Sequence, residues 1–377
     1  MTSSQKNPVL VVLQLSGGYD ALSTIVPYAD PLYMDYRPVQ KIDPEKVLPI
    51  NDRIGFHPTM GPIKELYDQG RVAVIHGIGY PNPIRSHFRS MDIWHTAEPE
   101  KVGTEGWLGR AIRELDPHKE NVLTGVNFGR GLPRSLALAG VSVASVGNLE
   151  TYGVMTGIKG QDQRDGALEV FGRMYAPMIG TSLVKEYVSL TGSDALKGAD
   201  ILSTAPQKYS STVEYGKDPL AQYMRNVAQV HLADLGTRIL HTGLNPGTFD
   251  THANQLLTFP RLWTEVSNAV SDFYQDLKEH NASENVVIFM FTEFGRRVNE
   301  NGSGTDHGSG GMAFVIGDAV KGGLYGEYPS IEPDKLTEGD LRYNNDFRGT
   351  YATLMERWMG LDSKPIVGGS FEQLDFI

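Results

Sequence analysis

A chain of 377 residues, 40% hydrophobic and 21% charged, carries enough apolar material for a full globular core. Its formal charge of −11 disfavours nucleic acid and anionic membrane surfaces as partners, but not a small anionic substrate, whose binding is decided locally. With no cysteine, disulfides, thiolate catalysis and sulfur-ligated zinc are excluded, and any metal must sit on His, Asp, Glu and water.

The opening MTSSQKNPVLVVLQLSGG has no basic segment followed by a cleavable apolar core, and its apolar run is too short to span a membrane. The expected location is the cytoplasm, or the periplasm if a leader has been removed. PVLVVLQL (8–15) is a continuous apolar run that predicts a strand buried on both faces. It runs into LSGGYD, which brings Ser16 and Asp20; taken alone this is a glycine-requiring turn. RVAVIHGIG (71–79) predicts a second buried strand, after a helical segment around 62–69. In the following YPNPIRSHFRSMDIWHTA, two prolines hold the chain extended and Ser86 opens a predicted helix. Two roles stay open for Ser86. It is an N-cap worth roughly 1 kcal/mol, or a nucleophile at the positive end of a helix dipole, facing an anionic centre held by Arg85 and Arg89.

From about 127 to 215 the pattern is irregular and glycine-rich, and an insertion that partly covers the site is expected. Beyond it, 219–236 and 257–280 space apolar residues three and four apart, as amphipathic helices do. TRILHTG (237–243) predicts a weaker strand between them; NVVIFMFTEFG (285–295) and GMAFVIG (311–317) predict two stronger ones. Strands alternating with helices imply an α/β fold built on one mostly parallel sheet, a single domain over 1–377. His57 and His76 are expected to be packed or capping residues.

Two polar loops follow predicted strands. GTFDTHANQ presents Asp250 and His252, and TEFGRRVNENGSGTDHG presents Glu293, Arg296, Asp306 and His307. A lone Asp-x-His is usually a polar turn. Several such sets at the C-terminal edge of one sheet, where α/β folds bind ligands, would repel one another unless a cation sat among them.

LSGGYDALSTIVPYADPLY, SHF, GTFDTHANQ, TEFGRRVNENGSGTDHG, KGGLYGEYP and DFRGTYATLMERWMG closely resemble a bacterial family of unknown function, the one numbered 1501. That family is similar to the alkaline phosphatase and sulfatase superfamily, and the resemblance runs in order from about residue 8 to 377. It implies an alkaline-phosphatase-like three-layer α/β/α sandwich. It puts Ser86 at the nucleophile's place, with His87 beside it in the catalytic pair, and Asp250 and His252 at the first metal. Glu293 keeps a ligand carboxylate where Phe294 loses an imidazole, and His307 takes the place of the last ligand. Either Asp306 and Asp20 complete a rearranged second site, or only one metal binds, on Asp250, His252 and His307. The implied activity is a metal-dependent hydrolase or transferase of phosphate or sulfate esters. The ion is divalent, zinc before manganese, calcium or magnesium, one or two per chain. Arg85, Arg89 or Arg296 would hold the oxygens of a small anionic ester. The alternative, supported by Phe294, is a diverged, non-catalytic member that binds an anionic sugar or polymer.

Overall fold

Val9, Val11 and Leu13 pack on one side of the first strand, Leu10 and Val12 on the other, and all five are buried. A strand with no polar face must be covered twice, and the computed structural model, which describes residues 6–150, 152, 160–174, 194 and 197–377, shows the two coverings. The strands in chain order are β1 (Val9–Gln14), β2 (Ile25–Val26), β3 (Leu48–Pro49), β4 (Gly55–Phe56), β5 (Val72–Gly79), β6 (Gly125–Phe128) and β7 (Val143–Val146). They continue with β8 (Ile239–Gly243), β9 (Val286–Phe291), β10 (Arg296–Glu300), β11 (Thr305–His307), β12 (Gly311–Gly317), β13 (Gly323–Tyr325) and β14 (Asn345–Asp346).

The central sheet runs β13-β5-β12-β9-β1-β8-β6-β7, with β14 also on β5. All its pairings are parallel except those of β12, which is antiparallel to β5 and β9. The sequence gives no sign of that reversal. Residues 292–310 hold the β10–β11 hairpin instead of a crossover helix, so the chain returns beside β9 in the opposite direction.

Helices Gly61–Asp68, Pro219–Leu232 and Gln255–Glu279 cover one face of the sheet; His87–Thr96, Trp107–Leu115 and Phe347–Thr353 cover the other. The result is a three-layer α/β/α sandwich. The stretch expected as an insertion starts inside β6 and adds β7 to the sheet edge. Much of its remainder, including 153–159 and 175–193, lies outside the described residues. No helix among the described residues is long and apolar enough to cross a membrane.

The core encloses histidines as neutral imidazoles. Burial pushes His57, His76 and His95 down to about 4 and His241 to about 3, against an unfolded value of about 6.5. Below that value the unfolded chain binds protons that the folded chain refuses. Stability is therefore greatest above about pH 6.5 and falls toward pH 4, by roughly 1.4 kcal/mol per pH unit for each such histidine. Urea midpoints measured between pH 7 and 5 should fall before the carboxylates begin to titrate. A flat profile would mean that these imidazoles are charged in the folded protein.

Candidate metal and catalytic site

The loops after β1, β5, β8 and β9, together with β11, meet at the carboxyl edge of the parallel strands, the position where open α/β sheets bind ligands. Two glycines make the meeting possible. Gly17 (φ +123) and Gly18 (φ +68) turn the chain beyond the reach of most side-chain-bearing residues. A Cβ on Gly17 would lie 2.4 Å from the Asp250 amide nitrogen, and one on Gly18 2.4 Å from the Phe294 ring.

Three imidazoles surround Asp250, each fixed from behind through Nδ1. His307 Nδ1 donates to the Arg85 carbonyl at 2.8 Å. His252 Nδ1 donates to Asp306 at 2.9 Å, and His87 Nδ1 to Glu293 at 2.7 Å. With Nδ1–H committed, a neutral ring turns an Nε2 lone pair inward. His252 Nε2 and His307 Nε2 lie 3.2 and 3.1 Å from Asp250 Oδ1 and 2.9 Å from each other. His87 Nε2 is a buried nitrogen without a hydrogen-bond partner among the described residues, 3.4 Å from Asp250 Oδ2. His87, Asp250 and His307 each offer one ligand atom, all within 4.8 Å of one another.

This is an arrangement of acceptors facing acceptors. Two imidazole lone pairs and a carboxylate oxygen cannot hydrogen-bond among themselves; a proton or a cation must lie between them. A proton is disfavoured on His307, whose pKa burial lowers. The spacing suits a cation. A tetrahedral ion with bonds of about 2.0–2.1 Å separates its ligand atoms by roughly 3.3 Å.

Of the carboxylates expected to ligate, only Asp250 reaches the centre. Glu293 is one step behind. Its two oxygens accept the Gly17 amide at 3.0 and 3.1 Å, and one receives His87. Through that contact Glu293 raises the pKa of His87, and with it the basicity of the ring as a ligand. Asp306 likewise stands behind His252, braced by Asn301 at 3.0 Å. Phe294, in place of an imidazole, packs its ring against His87 and His307 at centroid distances of 4.8 and 4.9 Å.

Asp20 lies outside the cluster. Its carboxylate caps the helix Ala21–Thr24 and pairs with Arg37 at 2.6 and 3.1 Å, and Ser23 and Gln255 donate to it as well. Asp20 and Arg37 are fully buried. Removing one partner strands the other charge, so Asp20→Ala is expected to cost about 3–5 kcal/mol. Chemical denaturation measures that loss, and metal content should not change.

The three arginines expected to bind substrate are committed to protein acceptors. Arg85 pairs with Asp340 at 2.8 Å and Glu338 at 3.3 Å. Arg89 pairs with Asp92 at 2.7 Å and donates to carbonyls of residues 99 and 101. Arg296 is buried, binding the Gly17, Gly18 and Thr305 carbonyls and Asp250 Oδ1, the last at 2.6 Å. Although burial raises the pKa of Asp250, this guanidinium outweighs it and holds the carboxyl below its usual range. The Arg296 charge also leaves part of the Asp250 charge unavailable to an ion.

Ser86 is the N-cap of the helix His87–Thr96, but its hydroxyl makes no cap bond and the residue is exposed. Its neighbours on both sides belong to the cluster, Arg85 through its carbonyl and His87 through its ring. A cleft of about 1210 Å³ opens beside His87 and Glu293 and extends over the ends of β6 and β8. Its lining includes Gln14, His95, Asn127, Arg130 and His241, none expected at the site. In sequence only Gln14 and His241 stand near the ends of predicted strands, PVLVVLQL and TRILHTG, and nothing sets the other three apart.

The sequence matches a family model described as a protein of unknown function (DUF1501) over residues 7–367. No curated protein matches it. The similar solved structures include the sulfatase PsFucS1 from Pseudoalteromonas sp., 13% identical with a TM-score of 0.44, covering 98% of this chain and 71% of that one. The C-terminal periplasmic domain of EcEptC from Escherichia coli, in complex with zinc, is 10% identical with a TM-score of 0.40, over 99% and 86% of the two chains. An alkaline phosphatase from the Antarctic bacterium TAB5 is 12% identical with a TM-score of 0.37, over 85% and 95%.

Proposed function

The chain belongs to the DUF1501 family of proteins of unknown function, and from the chemistry of its site we propose a metal-dependent hydrolase or transferase of phosphate or sulfate esters. The observation that carries this reading is the meeting of Asp250 Oδ1, His252 Nε2 and His307 Nε2 within 3.2 Å of one another, with no proton donor of their own to share. Those three residues, with His87 Nε2 beside them, would hold one divalent ion, zinc first by its preference for imidazole and carboxylate. When bound, such an ion lowers the pKa of a coordinated hydroxyl or water and offsets charge developing on an ester's oxygens.

The protein's own residues supply the rest. Glu293, Asp306 and the Arg85 carbonyl fix the three ring orientations, and Phe294 packs against two of them. Ser86 presents a hydroxyl that caps nothing at a helix N-terminus, where unpaired N–H groups favour an anion. Its oxygen bonds to phosphorus or sulfur as its proton passes to water, while the ester oxygen departs with the bonding electrons and takes up a proton from water. Water or an acceptor alcohol then attacks the same atom and loses its proton, and the Ser86 oxygen leaves with the bonding electrons and regains one. The product is the free anion with water or a new ester with the alcohol.

A second reading, a non-catalytic binder of an anionic sugar or polymer, is favoured by Phe294, whose ring packs against His87 and His307 where the resemblance implies a ligand imidazole. Turnover separates the two. The purified, metal-replete protein should hydrolyse 4-nitrophenyl phosphate or 4-nitrophenyl sulfate and lose that activity on chelation. Metal-loaded protein inert toward both esters would favour the binder.

A further inference from the structure

The cleft beside the imidazole cluster has a floor of a different character. Val12, His241 and Asn127 are partners across β1, β8 and β6, and Gln14 is the partner of Gly243. Gln14, His241 and Asn127 therefore share one face at the strand ends, with His95 approaching from the helix His87–Thr96. Asn127 Nδ2 donates to the Gly131 carbonyl at 2.8 Å and to Ser145 at 2.9 Å, so its oxygen accepts from His241 Nδ1 at 2.9 Å. That leaves His241 Nε2 with a lone pair and no partner among the described residues, on a residue only 4% exposed. Gln14 links His95, at 2.7 Å, to Ser16, at 2.8 Å, and the Ser16 hydroxyl accepts this bond without donating one to any described residue. Burial keeps both histidines neutral at physiological pH. The floor has unused hydrogen-bonding capacity and no charge.

The walls differ from the floor. Phe88, next to His87 in sequence, is 92% exposed, and Leu132 is 47% exposed; both line the cleft. Arg130 lines it too, exposed and with no ion pair or hydrogen bond to any described residue. Its neighbours Gly129 (φ +148) and Gly131 (φ +73) shape the loop that carries it. By contrast, Arg89 and Arg134 on the same wall are both tied to Asp92.

We propose that this cleft is a saccharide subsite, which binds the hydroxyl-rich alcohol portion of an anionic ester and pairs a further anionic group on it with Arg130. The proposal rests on the ester-hydrolase reading for its placement beside the cluster. A sugar ring offers hydroxyls at its rim for the neutral floor and C–H faces for Phe88 and Leu132. An acyl chain would strip water from the floor groups and return no hydrogen bond. At about 1210 Å³ the cleft exceeds the range of roughly 300–1,000 Å³ that suits a single small ligand, and has room for more than one ring.

Calorimetric titration of the full chain tests this. The probes are sulfated glycosaminoglycan disaccharides, their desulfated forms, glucose 6-phosphate and sodium sulfate. At least one saccharide ester should bind tenfold or more tightly than sulfate, and its desulfated form should still bind, more weakly. Arg130→Ala should weaken the charged ligand about tenfold and leave the desulfated one unchanged. Phe88→Ala should weaken both. Both residues are on the surface, so thermal melting and metal content should match wild type. If every saccharide binds no better than sulfate, or both variants bind as wild type does, the subsite is wrong. Turnover of aryl esters without saccharide binding would overturn this proposal and leave the hydrolase standing; saccharide binding by a metal-loaded but inert protein would do the reverse.

Discussion

His307→Ala should empty the centre and end catalysis together. His307 Nε2 is shared between Asp250 and His252, and its Nδ1 ties β11 to the loop that carries Ser86. Without it only the His252 imidazole remains at Asp250 Oδ1, since His87 Nε2 faces the other carboxylate oxygen, at 3.4 Å. Losing a residue that only orients a ligand typically costs 10–100-fold in metal affinity; Asp306→Asn belongs in that range, and His307→Ala should exceed it. Ion binding also stabilises the folded state, by about 2.7 kcal/mol at a free concentration one hundred times Kd. Chelation should therefore lower the melting temperature of wild type and leave that of His307→Ala where it began. An equal chelator effect on both proteins would place the stabilising ion elsewhere.

Ser86→Ala should abolish turnover and leave the rest of the protein untouched. Removing a nucleophile costs roughly 10³–10⁶-fold in kcat. An ordinary N-cap serine would also cost about 1 kcal/mol of stability, but this hydroxyl makes no cap bond, so the denaturation midpoint should barely move. Metal content should stay at the wild-type level, which separates this variant from His307→Ala. Retained activity would move the nucleophile to a water molecule and leave Ser86 as a plain helix start.

The elements of the fold were legible where burial on both faces wrote an unbroken apolar run, as in β1, β5 and β9. β8 was faint because His241 and Thr242, buried polar residues, replace the apolar side chains that mark a strand. The direction of β12 left no trace, since an apolar run reads the same in parallel and antiparallel pairing.

At the site, Asp250, His252 and His307 stood out as polar groups at strand ends. The layering behind them did not. Glu293 and Asp306 are carboxylates at plausible ligand positions, and only the interposed rings of His87 and His252 show that they act one step removed. Asp20 was misleading for a similar reason: its partner Arg37 is the C-cap just beyond the next helix, Pro31–Tyr36, and nothing in the spacing announces the pair. Arg85, Arg89 and Arg296 looked available because sequence lists cations without their acceptors. The neutral cleft floor draws on β1, the helix His87–Thr96, β6 and β8, far apart in the chain and joined only by sheet order.

The most direct measurement is anomalous diffraction at a metal absorption edge from crystals of protein purified without chelator, with elemental analysis of the same sample. The expected result is about one divalent ion per chain, by the ligand count, with an anomalous peak about 2.0–2.1 Å from His252 Nε2, His307 Nε2 and an Asp250 oxygen. A peak at Asp20 or on the Glu293 carboxylate, or a metal-free centre in which one imidazole is doubly protonated, would contradict it.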